Sequence, residues 1–357
     1  MSQSSANHPS PNHPRPNPMG VDRFEFIEFA APDAGVLHDL FSRLGFTAVA
    51  RHRSHDVTLY RQGDINFLVN AMPDSFASQF AAQHGPCCTG FALRVSDGAS
   101  ARKTALERGA SPLDPAGGLA LDLPCIAGIG GSVLYLSSGL DELEAEFEFD
   151  SGAERNPKGV GLSFVDHLTH NVYNGNMGEW AGFYEKLFGF YEVKYFDIKG
   201  QQTGLRSKAM TAPNGNISIP INESENPKSQ INEYLDEYKG EGVQHIALYS
   251  ENIYASVEAL HANDIQFLNT PDTYFDVIDQ RIPNHGEDVE RMRRNKILID
   301  ADMNQPDKQL LQIFTQTNIG PIFFEIIQRK GNEGFGEGNF QALFEAIERD
   351  QAKRGVL

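Results

Sequence analysis

The sequence predicts an α+β protein of four βαβββ-type modules, paired into two half-open barrels. Two internal matches carry this prediction. The segment VDRFEFIEFAAPDAGVLHDLFSRLGF (residues 21–46) returns as VDHLTHNVYNGNMGEWAGFYEKLFGF (165–190). Val21-Asp22 matches Val165-Asp166 and Gly45-Phe46 matches Gly189-Phe190, at one ungapped offset (165 − 21 = 189 − 45 = 144). A second match sets Gly90-Phe91-Ala92-Leu93 against His245-Ile246-Ala247-Leu248. Each of the four segments reads as a strand followed by a helical stretch, and such self-similarity marks a repeated unit.

Taken in order, residues 1–19 hold five prolines among Ser, Asn and His. They bury too little to order themselves and are expected to form a disordered tail, with His8 and His13 solvated. Modules one and two fill residues 20–150. Their first helix should stop at Gly45, as the matching helix should stop at Gly189. The stretch DELEAEFEFDSGAERNPKG is acidic, then rich in Gly and Pro, and reads as a solvated strand face or linker. Modules three and four fill residues from about 160 to 335. Beyond them Phe340, Leu343, Phe344 and Ile347 have helical spacing. That closing helix completes a second domain, 160–357, and follows FGEGNF, whose glycines suit the hinge of a lid.

Composition excludes several partners. The 357 residues carry a formal net charge of −18. A chain so acidic repels phosphate, which argues against nucleic acid and anionic membranes. An anionic substrate would need a local positive centre, such as a metal. Three cysteines, Cys87, Cys88 and Cys125, make neither a disulfide framework nor a zinc ribbon. There is no apolar run of spanning length and no signal-peptide core, so a cytoplasmic protein is expected.

Three side chains stand at comparable places in the second half. His167 is on the opening strand of module three and His245 on that of module four. Glu325 is on the closing strand IFFEIIQ of module four. They can converge only if the modules pack together, as the repeat predicts. Two neutral imidazoles and one carboxylate are the facial triad of iron(II) oxygenases, which leaves three positions for a 2-oxo acid and O2. Glu325 interrupts an apolar strand and needs a cation; the alternative partner is Arg329. On strand periodicity His170 faces away from His167. His261 and His285 are expected at the surface. In the first half Arg23 falls opposite His167 and Gly90 opposite His245, and GSVLYLSSG has no glutamate. That half is therefore expected to serve as scaffold or interface without metal. Free imidazoles near pKa 6.5 would let the metal go below about pH 6.

The strings VDHLTHNV, PINE, KSQINEYL, GVQHIAL, LLQIFT, FFEIIQR and GFGEGNFQALFEAIE closely resemble the 4-hydroxyphenylpyruvate dioxygenase family. The paired-module architecture resembles that of the vicinal oxygen chelate superfamily. The resemblance implies one Fe(II) per subunit on His167, His245 and Glu325, with 4-hydroxyphenylpyruvate and O2 as substrates and homogentisate and CO2 as products. It places Phe314 and Phe340 as rings that sandwich the substrate, and Gln312 and Gln244 as polar groups beside the iron. Ser207, Asn222 and Gln230 become a hydrogen-bonded cluster that orients the substrate. Phe335, Phe344 and Phe323 become apolar walls. Read without the resemblance, Asn222, Gln230 and Gln312 could equally be exposed amides. A homo-oligomer, tetramer or dimer, is implied. The rivals are 4-hydroxymandelate synthase, an extradiol catechol dioxygenase, and a metal-free small-molecule binding protein on the same fold.

Overall fold

The computed structural model describes residues 15–113, 117–199, 204–302, 305–339 and 342. Its strands form two mixed eight-stranded sheets of one plan. The first contains β1 (Phe24–Ala30), β2 (Thr47–His52), β3 (Val57–Gln62), β4 (Ile65–Asn70), β5 (Cys87–Arg94), β6 (Cys125–Ala127), β7 (Val133–Ser137) and β8 (Phe147–Phe149). Their order is β6-β7-β5-β1-β4-β3-β2-β8. The second contains β9 (Leu162–Asn171), β10 (Tyr191–Lys199), β11 (Gly204–Thr211), β12 (Ser218–Glu223), β13 (Gly242–Ser250), β14 (Leu298–Asp302), β15 (Gln305–Phe314) and β16 (Phe323–Lys330). Their order is β10-β11-β12-β9-β13-β16-β15-β14.

In both sheets the opening strands of two modules lie side by side and antiparallel, β1 with β5 and β9 with β13. Each opening strand then pairs in parallel with the closing strand of its own module: β1 with β4, β5 with β7, β9 with β12, β13 with β16. Parallel pairing requires a crossover, and the helices Gly35–Arg43, Gly98–Glu107, Met177–Phe188 and Ile253–Ala262 lie on these crossovers. The first and third of them end as expected, before Gly45 (φ +85°) and Gly189 (φ +78°). Only glycine takes this left-handed turn without strain. The second half thereby forms the expected half-open barrel. Among the described residues module two is shorter than expected, with three strands, β5 to β7. Pro112, Gly117-Gly118 and Pro124 interrupt the stretch where a fourth would pair. The acidic segment supplies β8 instead, which lines up on β2.

The sheet register corrects one equivalence. With Gly90 set against His245, Ala92 matches Ala247. Ala92 faces Phe26 and Tyr135 across its two ladders, while Ala247 faces His167 and Glu325. Phe26, not Arg23, therefore stands in the place of His167, and Tyr135 in that of Glu325. Arg23 precedes β1 and is exposed. Register shifts between Phe24 and Phe26 and between Glu28 and Phe29 are invisible to an ungapped match. Phe26, Leu59, Leu68, Ala92, Val133 and Tyr135 pack into a closed apolar core. At Gly90 the backbone is so close that a Cβ would meet the Val133 carbonyl oxygen at 2.5 Å.

The expected tail also begins to order earlier than residue 20. Met19 is buried in the main core. The Asn17 amide clasps the N–H and carbonyl of Val21, both at 2.8 Å. Composition averages over this stretch, whereas one apolar side chain and one Asn suffice to dock its end. Residues 1–14, with His8 and His13, lie outside the described residues, as do Phe340, Phe344 and the rest of the closing segment apart from residue 342. Among the described residues no helix is long and apolar enough to cross a membrane.

Candidate metal centre

Strand β9 alternates, so His167 and Thr169 face the barrel interior while Leu168 and His170 face the core. His170 is buried at 2.7 Å from the Tyr184 hydroxyl, and desolvation drives its pKa down to about 3. It is a neutral core residue, as its spacing predicted. On β13 and β16 the parallel register sets His245 beside Phe323 and Ala247 beside Glu325. These three strands bring His167 Nε2 to 3.3 Å from His245 Nε2 and 3.3 Å from Glu325 Oε2. His245 Nε2 is 3.4 Å from the same carboxylate oxygen. The three residues form a cluster able to hold a metal ion.

Donors about 2.1 Å from one metal lie roughly 3 Å apart when adjacent and about 4.2 Å apart when opposite. All three separations here are of the adjacent kind, so the set is facial. The donor chemistry also fits. His167 Nδ1 is 2.8 Å from Asp166 Oδ1, and His245 Nδ1 is 2.8 Å from Gln244 Oε1. A ring that donates through Nδ1 keeps its Nε2 lone pair. Two such lone pairs and a carboxylate oxygen then face each other in a buried space, which requires a cation. Without a metal, a proton takes that part. Burial pulls the His167 imidazole down, but Asp166 and Glu325 outweigh burial and raise it to about 9. Burial likewise pushes the Glu325 carboxyl up, and the two imidazoles outweigh it and hold it below its ordinary value. For His245 desolvation prevails and lowers the pKa.

Arg329 is not the partner of Glu325. Its guanidinium forks onto Asp166 with two bonds of 2.7 Å, which leaves Glu325 free for a metal. Sequence reasoning gave Asp166 no role, nor Thr169, whose hydroxyl is 3.0 Å from His245 Nε2. Period-two spacing from His167 could have singled out Thr169. Asp166 lies on the other side of the strand by that rule and reaches the imidazole only by a side-chain bend.

The ligands open onto a pocket of about 70 Å3 lined by Phe196, Leu205, Ser207, Pro220, Asn222, Phe314, Phe335 and Glu337. Ser207 on β11 and Asn222 on β12 are register partners. The Asn222 amide also donates to Asn171 Oδ1 at 3.3 Å. Phe335 meets the His167 ring edge-on, 5.5 Å between centroids. Phe323 stacks on His245 at 4.9 Å and so backs a ligand; it is not among the residues lining the pocket. A larger cavity of about 1140 Å3 opens between the two edge strands, lined by Tyr191 and Val193 on one side and Asp300 and Ala301 on the other. Among the described residues it shares only Phe335 and Glu337 with the metal pocket.

Other expected site residues fall elsewhere. Gln230 is the exposed first residue of the helix Gln230–Tyr238, whose buried side carries Ile231, Tyr234, Leu235 and Tyr238. It does not line the pocket, because the helix turns its apolar stripe inward and Gln230 outward. Gln312 is buried beneath Gly336, where an added Cβ would lie 2.0 Å from its Oε1. It supports the segment carrying Phe335 and is likewise not among the pocket-lining residues. His285 is buried rather than exposed, 2.9 Å from Asp279.

Fold and site together define an iron(II)-dependent dioxygenase with a two-histidine, one-carboxylate centre. Residues 16–151 match the hydroxyphenylpyruvate dioxygenase (HPPD) N-terminal family. Residues 164–277 match the glyoxalase/bleomycin resistance protein/dioxygenase superfamily. The chain is 56% identical over 350 residues to hemolysin VllY of Vibrio vulnificus, covering 96% of this chain and 98% of that one. It is 52% identical to 4-hydroxyphenylpyruvate dioxygenase of a Pseudomonas species, covering 96% and 98%. A solved variant of 4-hydroxymandelate synthase from Streptomyces coelicolor superimposes with a TM-score of 0.80 at 25% identity, over 93% of this chain and all of that one. The chain belongs to the 4-hydroxyphenylpyruvate dioxygenase family.

Proposed function

We propose that this enzyme converts 4-hydroxyphenylpyruvate and O2 to homogentisate and CO2, a step of tyrosine breakdown. The observation that carries this reading is the facial triad opening onto a pocket with aromatic walls, Phe196, Phe314 and Phe335, and a polar pair, Ser207 and Asn222. His167, His245 and Glu325 would hold iron(II), with about one positive charge left to attract a 2-oxo acid anion. Bound iron(II) supplies chelation of the 2-oxo acid and activation of O2. The chain does the rest by placement. Asp166 and Gln244 fix the two imidazole tautomers. Phe314 lies against the substrate ring. Ser207 and Asn222 offer a hydroxyl and an amide to the phenol. Phe335 and Glu337 separate this space from the larger cavity and keep water from the reacting carbon. Gln244 belongs to the iron side of the site. Phe340 and Phe344 keep the substrate-facing roles that the family resemblance implies. Residues 20–150 are proposed as a scaffold domain, residues 160–357 as the catalytic domain, and the assembly as a homo-oligomer.

The likeness to 4-hydroxymandelate synthase supports a second reading, with the same substrate hydroxylated at the benzylic carbon. The two differ by ring placement on the order of an ångström. The test is oxygen uptake with 4-hydroxyphenylpyruvate, with and without added Fe(II), followed by chromatography and mass analysis of the product. Homogentisate supports the proposal and 4-hydroxymandelate selects the second reading. Absence of iron-dependent uptake rejects both.

A further inference from the structure

Arg329 completes a circuit between a metal ligand and the wall of the pocket. Its Nε and Nη2 each bond Asp166 at 2.7 Å, and Asp166 accepts from His167 Nδ1 at 2.8 Å. The remaining amine, Nη1, donates to the carbonyl oxygens of Asn332 at 3.1 Å and Gly334 at 2.7 Å. The next residue is Phe335, whose ring lies edge-on to His167. One guanidinium thus holds both the anion that orients the ligand and the turn that carries an aromatic ring over that ligand. The pair is enclosed, with side-chain exposures of 19% for Arg329 and 7% for Asp166. A buried ion pair contributes little net stability, so what this one supplies is the geometry it fixes. The bidentate fork matters because a planar guanidinium cannot turn without breaking both bonds. The segment it grips runs between Gly331 (φ +78°) and Gly336 (φ +75°), two left-handed turning points.

We propose that Asp166 and Arg329 are positioning residues that couple occupancy of the metal centre to the placement of residues 332–335. A metal on Nε2 would anchor the His167 ring to the other two ligands and so hold its Nδ1–H bond to Asp166 in one orientation. That fixes the carboxylate, then the guanidinium plane, then the two carbonyls. Coupling is reciprocal, so a held turn must in return tighten the metal. The inference rests on the facial triad and is independent of which substrate the enzyme takes.

The test uses the full-length, metal-stripped protein and two readouts. One is anaerobic titration with Fe(II), with Co(II) as a spectroscopic probe. The other is amide hydrogen exchange of residues 331–336 with and without metal. In the wild type, metal should slow exchange in that segment. Arg329→Met should weaken metal binding about tenfold to a hundredfold, the usual range for groups behind a ligand. It should also abolish the metal-dependent protection while the rest of the sheet keeps its own. Arg329→Lys should restore little, since one ammonium cannot serve a carboxylate and two carbonyls in a plane. Asp166→Asn keeps the side-chain size and gives the same two readouts should Arg329→Met not fold. A folded variant of either residue with wild-type affinity, or with protection intact, overturns the coupling. The wild-type titration separately tests the centre itself.

Discussion

Glu325 Oε2 stands 3.3 Å from His167 Nε2, although the two residues open and close different modules. Only the antiparallel meeting of β9 and β13, and the parallel pairing of β13 with β16, brings them together. Replacing His167, His245 or Glu325 by Ala should therefore reduce iron content and turnover by at least about a hundredfold and leave the sheets in place. Metal analysis after anaerobic loading, with circular dichroism as the control for folding, checks this. A variant that keeps both iron and activity would remove that residue from the ligand set.

The pH dependence should differ from that of a free imidazole. His167, raised to about 9 by Asp166 and Glu325 against the pull of burial, carries a proton in the metal-free chain at neutral pH. Metal must displace that proton. Binding at pH 7 should release about one proton per site, and affinity should fall roughly tenfold per unit as pH drops below about 9. The expectation of loss only below about pH 6 came from an unperturbed histidine. In the metal-free chain the same protonation stabilises the fold below the unfolded value of about 6.5, and this contribution is lost as pH rises through about 9. Calorimetric titration in two buffers of different ionisation enthalpy counts the protons. None released at pH 7 would contradict the assignment.

Phe314 lines the pocket and offers no metal-binding atom, its ring centroid 6.4 Å from that of His245. Phe314→Ala should leave iron content unchanged and raise KM for the proposed substrate by up to about tenfold, the upper end of the roughly 0.5–1.5 kcal/mol of an aromatic contact. Steady-state kinetics at saturating Fe(II) decides it. Loss of iron in this variant would place the ring on the metal side instead.

Gln230 offers a contrast. Family resemblance puts it in the substrate cluster, while the structure puts it on the surface of its helix. Gln230→Ala should change kcat/KM by less than about twofold, and stability by less than about 0.5 kcal/mol, as for ordinary surface positions. A tenfold loss of kcat/KM would mean that this helix end reaches the substrate in the working enzyme.

What the sequence made legible follows from what repeats. The module plan, the helix stops at Gly45 and Gly189 and the three ligands all sit on strands whose apolar pattern recurs, so one copy could be read against the other. Arg23 was misplaced because a bulge shifts register without leaving a gap. Asp166 was missed because its work depends on a side chain bending around its own strand. Gln230 faces outward because a motif string fixes a position on a helix and leaves its facing to the packing of Ile231 and Tyr234.

Gly90 carries a last consequence. It stands where His245 stands in the other half, and the Val133 carbonyl oxygen is pressed against the space a side chain would need. Placing His at 26 and 90 and Glu at 135 would thus not by itself build a second centre, because the Val133 backbone occupies the space the imidazole at 90 would need. A centre grafted onto the first half would therefore have to move the β7 backbone as well as exchange side chains, so its cost lies in the main chain rather than in the choice of ligands.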